Sequence, residues 1–223
     1  MATRIALWIA KAIAVFIALS LVLVVLFRFV PVTYTLTMLF DENPVTRDWE
    51  PLSRIDRNMV SAVIAAEDSK FCTHNGFDAE AIEQAIEERL AGERERGAST
   101  ISQQTAKNVF LWQGGGWFRK GLEAWFTFLI ETLWTKRRIM EVYLNVAETG
   151  IGTYGVEAGA QRYFNKSAAR LSRDEASRMA AALPSPKRRE VKNPTGFTRR
   201  YGNTIEARIG VVRRDRLDAC VYD

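Results

Sequence analysis

The sequence predicts a mainly α protein with an N-terminal transmembrane helix. Two observations carry that expectation. Ile5 to Phe27 is almost wholly apolar, broken only by Lys11, and the uncharged stretch from Ala12 to Phe27 with its flanks is about one bilayer long. Beyond it, apolar residues recur at helical spacing, with no strand-like run above background, no internal repeat and no nucleic-acid module. The 223 residues suffice for an anchor and one domain of ordinary size.

Charge and cysteine content narrow the function. A formal charge of +5 suits an anionic partner such as lipid head groups, phosphates or nucleic acid. Lys and Arg are spread along the domain, however, and the anchor puts that domain on the wrong side of a membrane for nucleic acid. Cys72 and Cys220 do not make a disulfide framework, and no CxxC motif exists. One histidine, His74, argues against a Ser–His–Asp site and against a histidine-rich zinc site.

In chain order, Arg4 and Lys11 precede the apolar span, and Lys11 is near enough to its end to snorkel. No A-x-A-like cleavage site follows; Arg28, Phe29, Val30 and Pro31 come instead. Residues 1–30 therefore read as a cytoplasmic tip and an uncleaved signal anchor, although Arg28 weakens the charge asymmetry that sets orientation. Residues 31–50 have little periodicity, carry Asn43-Pro44 and read as a linker or an extended lead-in. The soluble domain takes up 51–223. Ile55–Glu67 is its first helix. Asp78 caps a second, with Ile82, Ile86 and Leu90 four residues apart. Gly92–Gly97 reads as a solvated turn, and Ser99 as the cap of a third helix. A flexible break, Gln113–Trp117, precedes a very apolar helix over 118–134, and Arg138–Asn145 continues as helix. Gly150–Gly155 is a glycine-rich loop, weak as a phosphate signal. Val156–Phe164 is a small-residue helix. Ser172 and Glu175 form a capping box for a helix that ends at Leu183 before Pro184 and Pro186. Lys187–Lys192 is basic, and the tail from Thr198 forms a last amphipathic helix.

Candidate chemistry gathers in three places. Val60, Val63 and Ile64 define the inward stripe of the first helix; at about 100° per residue, Glu67 falls near its centre and Asp68 about a quarter-turn off it. Desolvation raises the pKa of such a glutamate and makes it a usable acid or base near neutral pH. A helix-end carboxylate pair satisfied by backbone or a basic partner fits the same residues, so both readings stand here. In the third helix Gln103 and Gln104 are followed one turn later by Lys107 and Asn108. The free N–H groups at its start suit an anion; an ordinary solvated face is the plainer account. In the apolar helix Arg119, Lys120, Glu123, Thr127 and Glu131 share about a third of the circumference. That stripe lines a cleft if the rest is buried or in lipid, or it is simply an i, i+4 ion pair between Arg119 and Glu123.

Three segments then fit one pattern. They are Glu67-Asp68-x-x-Phe71-x-x-His74-x-Gly76-Phe77-Asp78, Gly97-Ala98-Ser99-Thr100-Ile101-Ser102-Gln103-Gln104-x-x-Lys107-Asn108, and Arg119-Lys120-x-x-Glu123-Ala124. In that order and spacing they resemble the glycosyltransferase family 51 domain of bacterial peptidoglycan synthases. Arg138-Ile-x-Glu141-x-Tyr143-Leu144-Asn145 and Gly155-Val156-Glu157-Ala158 look like its later motifs. The resemblance runs from about Pro51 onward. Ala98, where the family often has glycine, is a mild departure. No stretch remains for a penicillin-binding transpeptidase domain and no SxxK stands in the right context, as in the family's monofunctional branch.

The resemblance implies a lysozyme-like, two-lobed helical domain whose smaller lobe, including much of 110–134, dips into the membrane surface. It implies polymerisation of lipid II into β-1,4 glycan strands with release of undecaprenyl pyrophosphate. Glu67 would be the base for the acceptor hydroxyl. Lys107, Arg119 and Lys120 would hold the diphosphate, with Ser99, Gln103, Gln104 and Asn108 as hydrogen-bonding partners. Glu123 resembles the second essential carboxylate, which would orient those cations, stabilise charge at the sugar or hold a divalent metal (Mg2+ or Mn2+); no other cofactor is expected. Asp68, His74 and Asp78 would order the loop beside Glu67. The expected setting is a bacterial inner membrane, single-pass, with a cytoplasmic N-terminus and a periplasmic catalytic domain. Lipid II, the growing strand, the membrane and cell-wall synthesis or division proteins are the expected partners. The rival reading is a lysozyme-like lytic enzyme, which would protonate a glycosidic oxygen and have no use for a cation cluster.

Overall fold

The computed structural model describes residues 1–92 and 97–223. Its elements in order are α1 (Ala2–Phe29), α2 (Leu36–Leu39), β1 (Thr46–Arg47), α3 (Arg57–Glu67), α4 (Ala79–Leu90), α5 (Ile101–Phe110), α6 (Gly116–Leu133), α7 (Lys136–Val146), β2 (Glu148–Gly150), β3 (Thr153–Tyr154), α8 (Val156–Phe164), α9 (Arg173–Ala182), α10 (Gly196–Arg214) and α11 (Ala219–Tyr222). The mainly helical expectation holds. The solvated turn expected at 92–97 lies largely outside the described residues.

The core is built on α3. Seven consecutive residues, Met59 to Ala65, are buried, because α9 and α10 pack on this helix. Asp56 caps α3 by accepting the Asn58 N–H at 2.7 Å. Arg57 reaches the carboxylate of the fully buried Asp218 with two bonds, 2.8 and 2.9 Å, which ties the start of α3 to the far end of the chain. A second sub-bundle forms where α5 packs on both α6 and α7. Phe110 of α5 stacks on Phe126 of α6 with centroids 4.5 Å apart.

The anchor is docked rather than hung. α1 is the one described helix long and apolar enough to cross a membrane, and it packs along α6. Phe16 meets Trp125 and Phe126, Val24 is fully buried, and Trp134 Nε1 donates to the Val24 carbonyl at 2.8 Å. Arg138 donates to the Phe27 and Val30 carbonyls, so it caps the exposed end of α1. α6 still exposes Trp117, Phe118 and Phe128. Apolar rings left bare beside a membrane helix fit contact with lipid.

Three expectations are corrected. Strands do occur: β3 pairs in parallel with β1 and antiparallel with β2, in a sheet ordered β1-β3-β2. They escape a pattern search because each is only two or three residues long. Residues 31–50, read as a linker or an extended lead-in, are ordered against the rest of the domain. Val32 and Met38 are buried, β1 pairs with β3, and Asn145 brackets Glu50 by accepting its N–H and donating to its carbonyl, both at 2.8 Å. Glu141 takes the Leu52 N–H at 2.9 Å. Lastly, Cys72 and Cys220 are bonded in a disulfide, 148 residues apart in sequence, with Cα atoms at 5.4 Å. It staples the loop after α3 to α11. Closing so long a loop removes much denatured-state entropy, so Cys72→Ser with Cys220→Ser, or a reductant, should cost roughly 2–5 kcal/mol and lower Tm by several degrees. Thermal unfolding of the detergent-solubilised protein with and without reductant measures it; equal Tm values would show the bridge to be incidental.

Candidate active site

Glu67 is the last residue of α3, and Asp68 caps that helix. The chain then turns through a loop to Asp78, which caps α4 by accepting the Ala81 N–H at 3.1 Å. Two bonds fix this loop to the start of α5, and a third closes the loop on itself. Asp68 Oδ2 accepts the Ile101 N–H at 3.0 Å, Asp68 also accepts from His74 Nε2 at 3.0 Å, and the Thr100 hydroxyl donates to the Gly76 carbonyl at 2.7 Å. His74 Nδ1 accepts the Gly76 N–H at 3.0 Å, which puts its proton on Nε2, facing Asp68. Gly76 has a φ of +92°, and a Cβ there would stand 2.7 Å from Thr127 and 2.9 Å from Glu131 of α6. Only glycine permits that approach. Asp68, His74 and Asp78 each spend their side chains on hydrogen bonds within this region.

The start of α5 differs in one detail. Its cap is Thr100, not Ser99. Thr100 Oγ1 accepts the Gln103 N–H at 3.1 Å while Gln103 Oε1 accepts the Thr100 N–H at 3.0 Å. Gln103 is buried, and its carbonyl oxygen is committed to this box. Ser99, Gln103 and Lys120 line a cavity of about 400 Å³.

Glu67 projects toward α5. Its Oε2 accepts from Gln104 Nε2 at 2.8 Å, and Tyr143 OH lies 3.5 Å from Gln104 Oε1. Glu67 Oε1 is buried and has no hydrogen-bond partner among the described residues. Burial pushes this carboxyl above its ordinary value, against the Gln104 hydrogen bond and the charges of Arg189 and Lys107, with Asp68 adding to the rise. A second carboxylate has the opposite surroundings. Glu123 is buried on α6 and is clamped by Arg119 at 2.6 Å and by Lys120 in a shorter contact; Lys120 also reaches Ser99 Oγ at 3.3 Å. Lys107 is electrostatically coupled to both carboxylates. Burial pulls its ammonium below the ordinary value, Arg119 and Lys120 pull the same way, and Glu123 and Glu67 resist. Asn108 is partly buried one residue on and makes no hydrogen bond to these groups.

The structure therefore joins Glu67, Gln104, Lys107, Arg119, Lys120 and Glu123 through hydrogen bonds, ion pairs and the charges that bear on Lys107, and Ser99 joins them through Lys120. Sequence reasoning missed Arg189, whose charge bears on Glu67. Arg189 donates to the Ala181 carbonyl at 2.6 Å and lies over Phe197 and Tyr201, with Tyr201 OH donating to the Ala66 carbonyl at 2.7 Å. The basic run at 187–192 was the available signal. Glu123 bonds Arg119 and Lys120 through one oxygen each, and no group of three His, Cys, Asp or Glu side chains converges among the described residues. Asp68→Ala should strand the Ile101 N–H and lower stability by about 1–3 kcal/mol at constant m-value. Urea unfolding reads this, and an unchanged midpoint would remove Asp68 from its ordering role.

Known proteins resemble this chain over most of its length. A family described as transglycosylase matches residues 34–208, beginning inside the segment expected to be a linker. The biosynthetic peptidoglycan transglycosylase of Rhodospirillum centenum is 54% identical over 179 residues, 80% of this chain and 78% of its own. That of Caulobacter vibrioides is 49% identical over 210 residues, 93% of this chain and 92% of its own. With a match of that extent, the chain belongs to the transglycosylase family.

Proposed function

We propose that this protein polymerises lipid II into β-1,4 glycan strands of peptidoglycan at a membrane surface. The observation that carries this reading is a buried, half-satisfied carboxylate, Glu67, whose charge bears on the same Lys107 as a set of fixed cations does. The donor sugar leaves a diphosphate, which needs charge neutralisation more than a proton. Lys107, Arg119 and Lys120 supply that charge, and Glu123 holds Arg119 and Lys120 in place. The acceptor 4-hydroxyl oxygen attacks the donor anomeric carbon, its bond to the diphosphate oxygen breaks, and the hydroxyl proton passes to Glu67 Oε1. An α-linked donor giving a β-linked product means single-step inversion, so neither carboxylate becomes covalently attached. The names of the relatives favour synthesis over hydrolysis, and a lytic enzyme would leave the cation cluster idle. The docked anchor supports work at the bilayer, where a polyprenyl donor stays because each buried CH₂ is worth about 0.8 kcal/mol. The disulfide favours an oxidising compartment and hence a periplasmic catalytic domain.

Glu67→Gln should reduce lipid II polymerisation by about 100- to 10,000-fold. Its folded-state pKa is raised, so ionising Glu67 weakens the fold as pH climbs from the ordinary glutamate range through the raised value. The amide variant should therefore be at least as stable as the parent at neutral pH. A folded, fully active Glu67→Gln would remove Glu67 from the base role. Activity against pH should be bell-shaped: the acid limb lies above the ordinary 4.5 of glutamate, and the alkaline limb lies below the ordinary 10.5 of lysine as Lys107 loses its proton. Lys107→Arg should move only the alkaline limb, to higher pH; an unmoved limb would detach Lys107 from the diphosphate.

A further inference from the structure

Glu67 is met by opposite charge from two elements. Lys107 belongs to α5 and to the group that Arg119, Lys120 and Glu123 form with it. Arg189 belongs to the chain after α9, and its surroundings hold it there. It donates through Nη1 to the Ala181 carbonyl, in the last turn of α9, at 2.6 Å. Its guanidinium lies 5.2 Å from the centre of the Phe197 ring and 5.9 Å from that of Tyr201, and the two rings stack on each other in α10. The Tyr201 hydroxyl in turn donates to the carbonyl of Ala66, the residue before Glu67, at 2.7 Å. A cation gripped by one carbonyl and two rings is fixed near the end of α3 rather than free to follow a bound diphosphate. It acts on Glu67 through charge, not contact. Glu67 Oε2 bonds Gln104, and Oε1 has no hydrogen-bond partner among the described residues. A guanidinium seated on Oε1 would fill the place that a proton has to take.

The two cations differ once a donor is bound. The Lys107 ammonium, already pulled down by burial and by Arg119 and Lys120, is then taken up by the diphosphate. An arginine stays charged at every working pH. We propose that Arg189 is a positioning residue for the transfer, the counter-charge that serves Glu67 and keeps it anionic while the diphosphate occupies Lys107. The proposal rests on the reading of Glu67 as the base. The other groups around Glu67 do not fill this role. Asp68, next in the chain, repels its charge, and Gln104 of α5 carries none. The hydroxyls of Tyr143 in α7 and Tyr201 in α10 are kept neutral by burial, which raises both. Arg208, also in α10, bears on Tyr201.

The test is the pH profile of kcat for lipid II polymerisation by the full chain in detergent micelles, because kcat reports the ionisations of the bound complex. Removing a permanent cation favours the neutral carboxyl. Arg189→Gln, whose amide can still donate to the Ala181 carbonyl, should therefore move the acid limb up by roughly half to one pH unit, a loss of about three- to tenfold along that limb. The alkaline limb and the KM for lipid II should stay where they are. Arg189→Lys keeps the charge and should return the acid limb to its parent position. A part confined to closing α9 and stacking on Phe197 would instead lower the rate of both variants alike at every pH. That pattern, an unmoved acid limb in Arg189→Gln, or a limb moved as far in Arg189→Lys would overturn the assignment. Should Arg189→Gln melt below the assay temperature, Arg189→Met, which keeps the stem over Tyr201, is read in the same way. Glu67→Gln separates this proposal from the reading it rests on. An inactive Glu67→Gln beside an unmoved limb removes Arg189 alone, whereas a fully active one removes the base and the part of Arg189 with it.

Discussion

The site depends on one buried carboxylate, that of Asp68. It ends α3 and begins α5 at the same time, accepting the Ile101 N–H and the His74 Nε2 proton. Burying a charge is costly unless its oxygens are occupied, and here they are. Because Asp68 follows Glu67 directly, the same bonds set where Glu67 points relative to Gln104 and Lys107. The loop between them has little freedom. Lys136 Nζ donates to the His74 carbonyl and to Glu131 at 2.7 Å each, and lies over the Phe71 ring. The Ser102 hydroxyl donates to the same Glu131. Helices α3, α5, α6 and α7 are thereby registered through a few polar atoms rather than through apolar contact alone.

Glu67 and Glu123 share a chemistry and differ in surroundings. Glu123 has a cation on each oxygen, whereas Glu67 has an amide on one oxygen and no hydrogen-bond partner among the described residues on the other. An unsatisfied buried acceptor costs about 1–3 kcal/mol, a large fraction of an ordinary domain's stability. A protein selected for stability alone would have an apolar or amide side chain at 67. Surroundings so different suit the two carboxylates to different parts in the proposed reaction: Glu67 keeps an oxygen open to a proton, and Glu123 spends both of its own on the cations beside it.

Much of this was legible in the chain. Asp78 and Ser172 cap the helices they were expected to cap, and Val156–Phe164 has the expected bounds. Glu67 stood out because an acid on an apolar stripe breaks the pattern. What escaped was information carried by distance in sequence. Nothing local distinguishes Cys72 and Cys220 as partners, and strands of two residues have no periodicity. The lead-in looked loose because its order is imposed from outside, by Glu141 and Asn145 nearly a hundred residues later. Arg189 resembled its basic neighbours until Phe197, Tyr201 and the Ala181 carbonyl fixed its direction. Ser99 and Thr100 are both cap residues by type, and the box with Gln103 and the Gly76 carbonyl choose Thr100.

The docking of α1 on α6 bears on how the enzyme would sense its surroundings. With Trp134 bonded to the Val24 carbonyl and Arg138 closing the last turn, no pivot separates anchor from cleft. A bilayer thicker or thinner than the span is accommodated by tilt. Here any tilt is inherited by the whole body, so lipid thickness acts as a mechanical input that sets the angle at which the cleft meets the head-group plane.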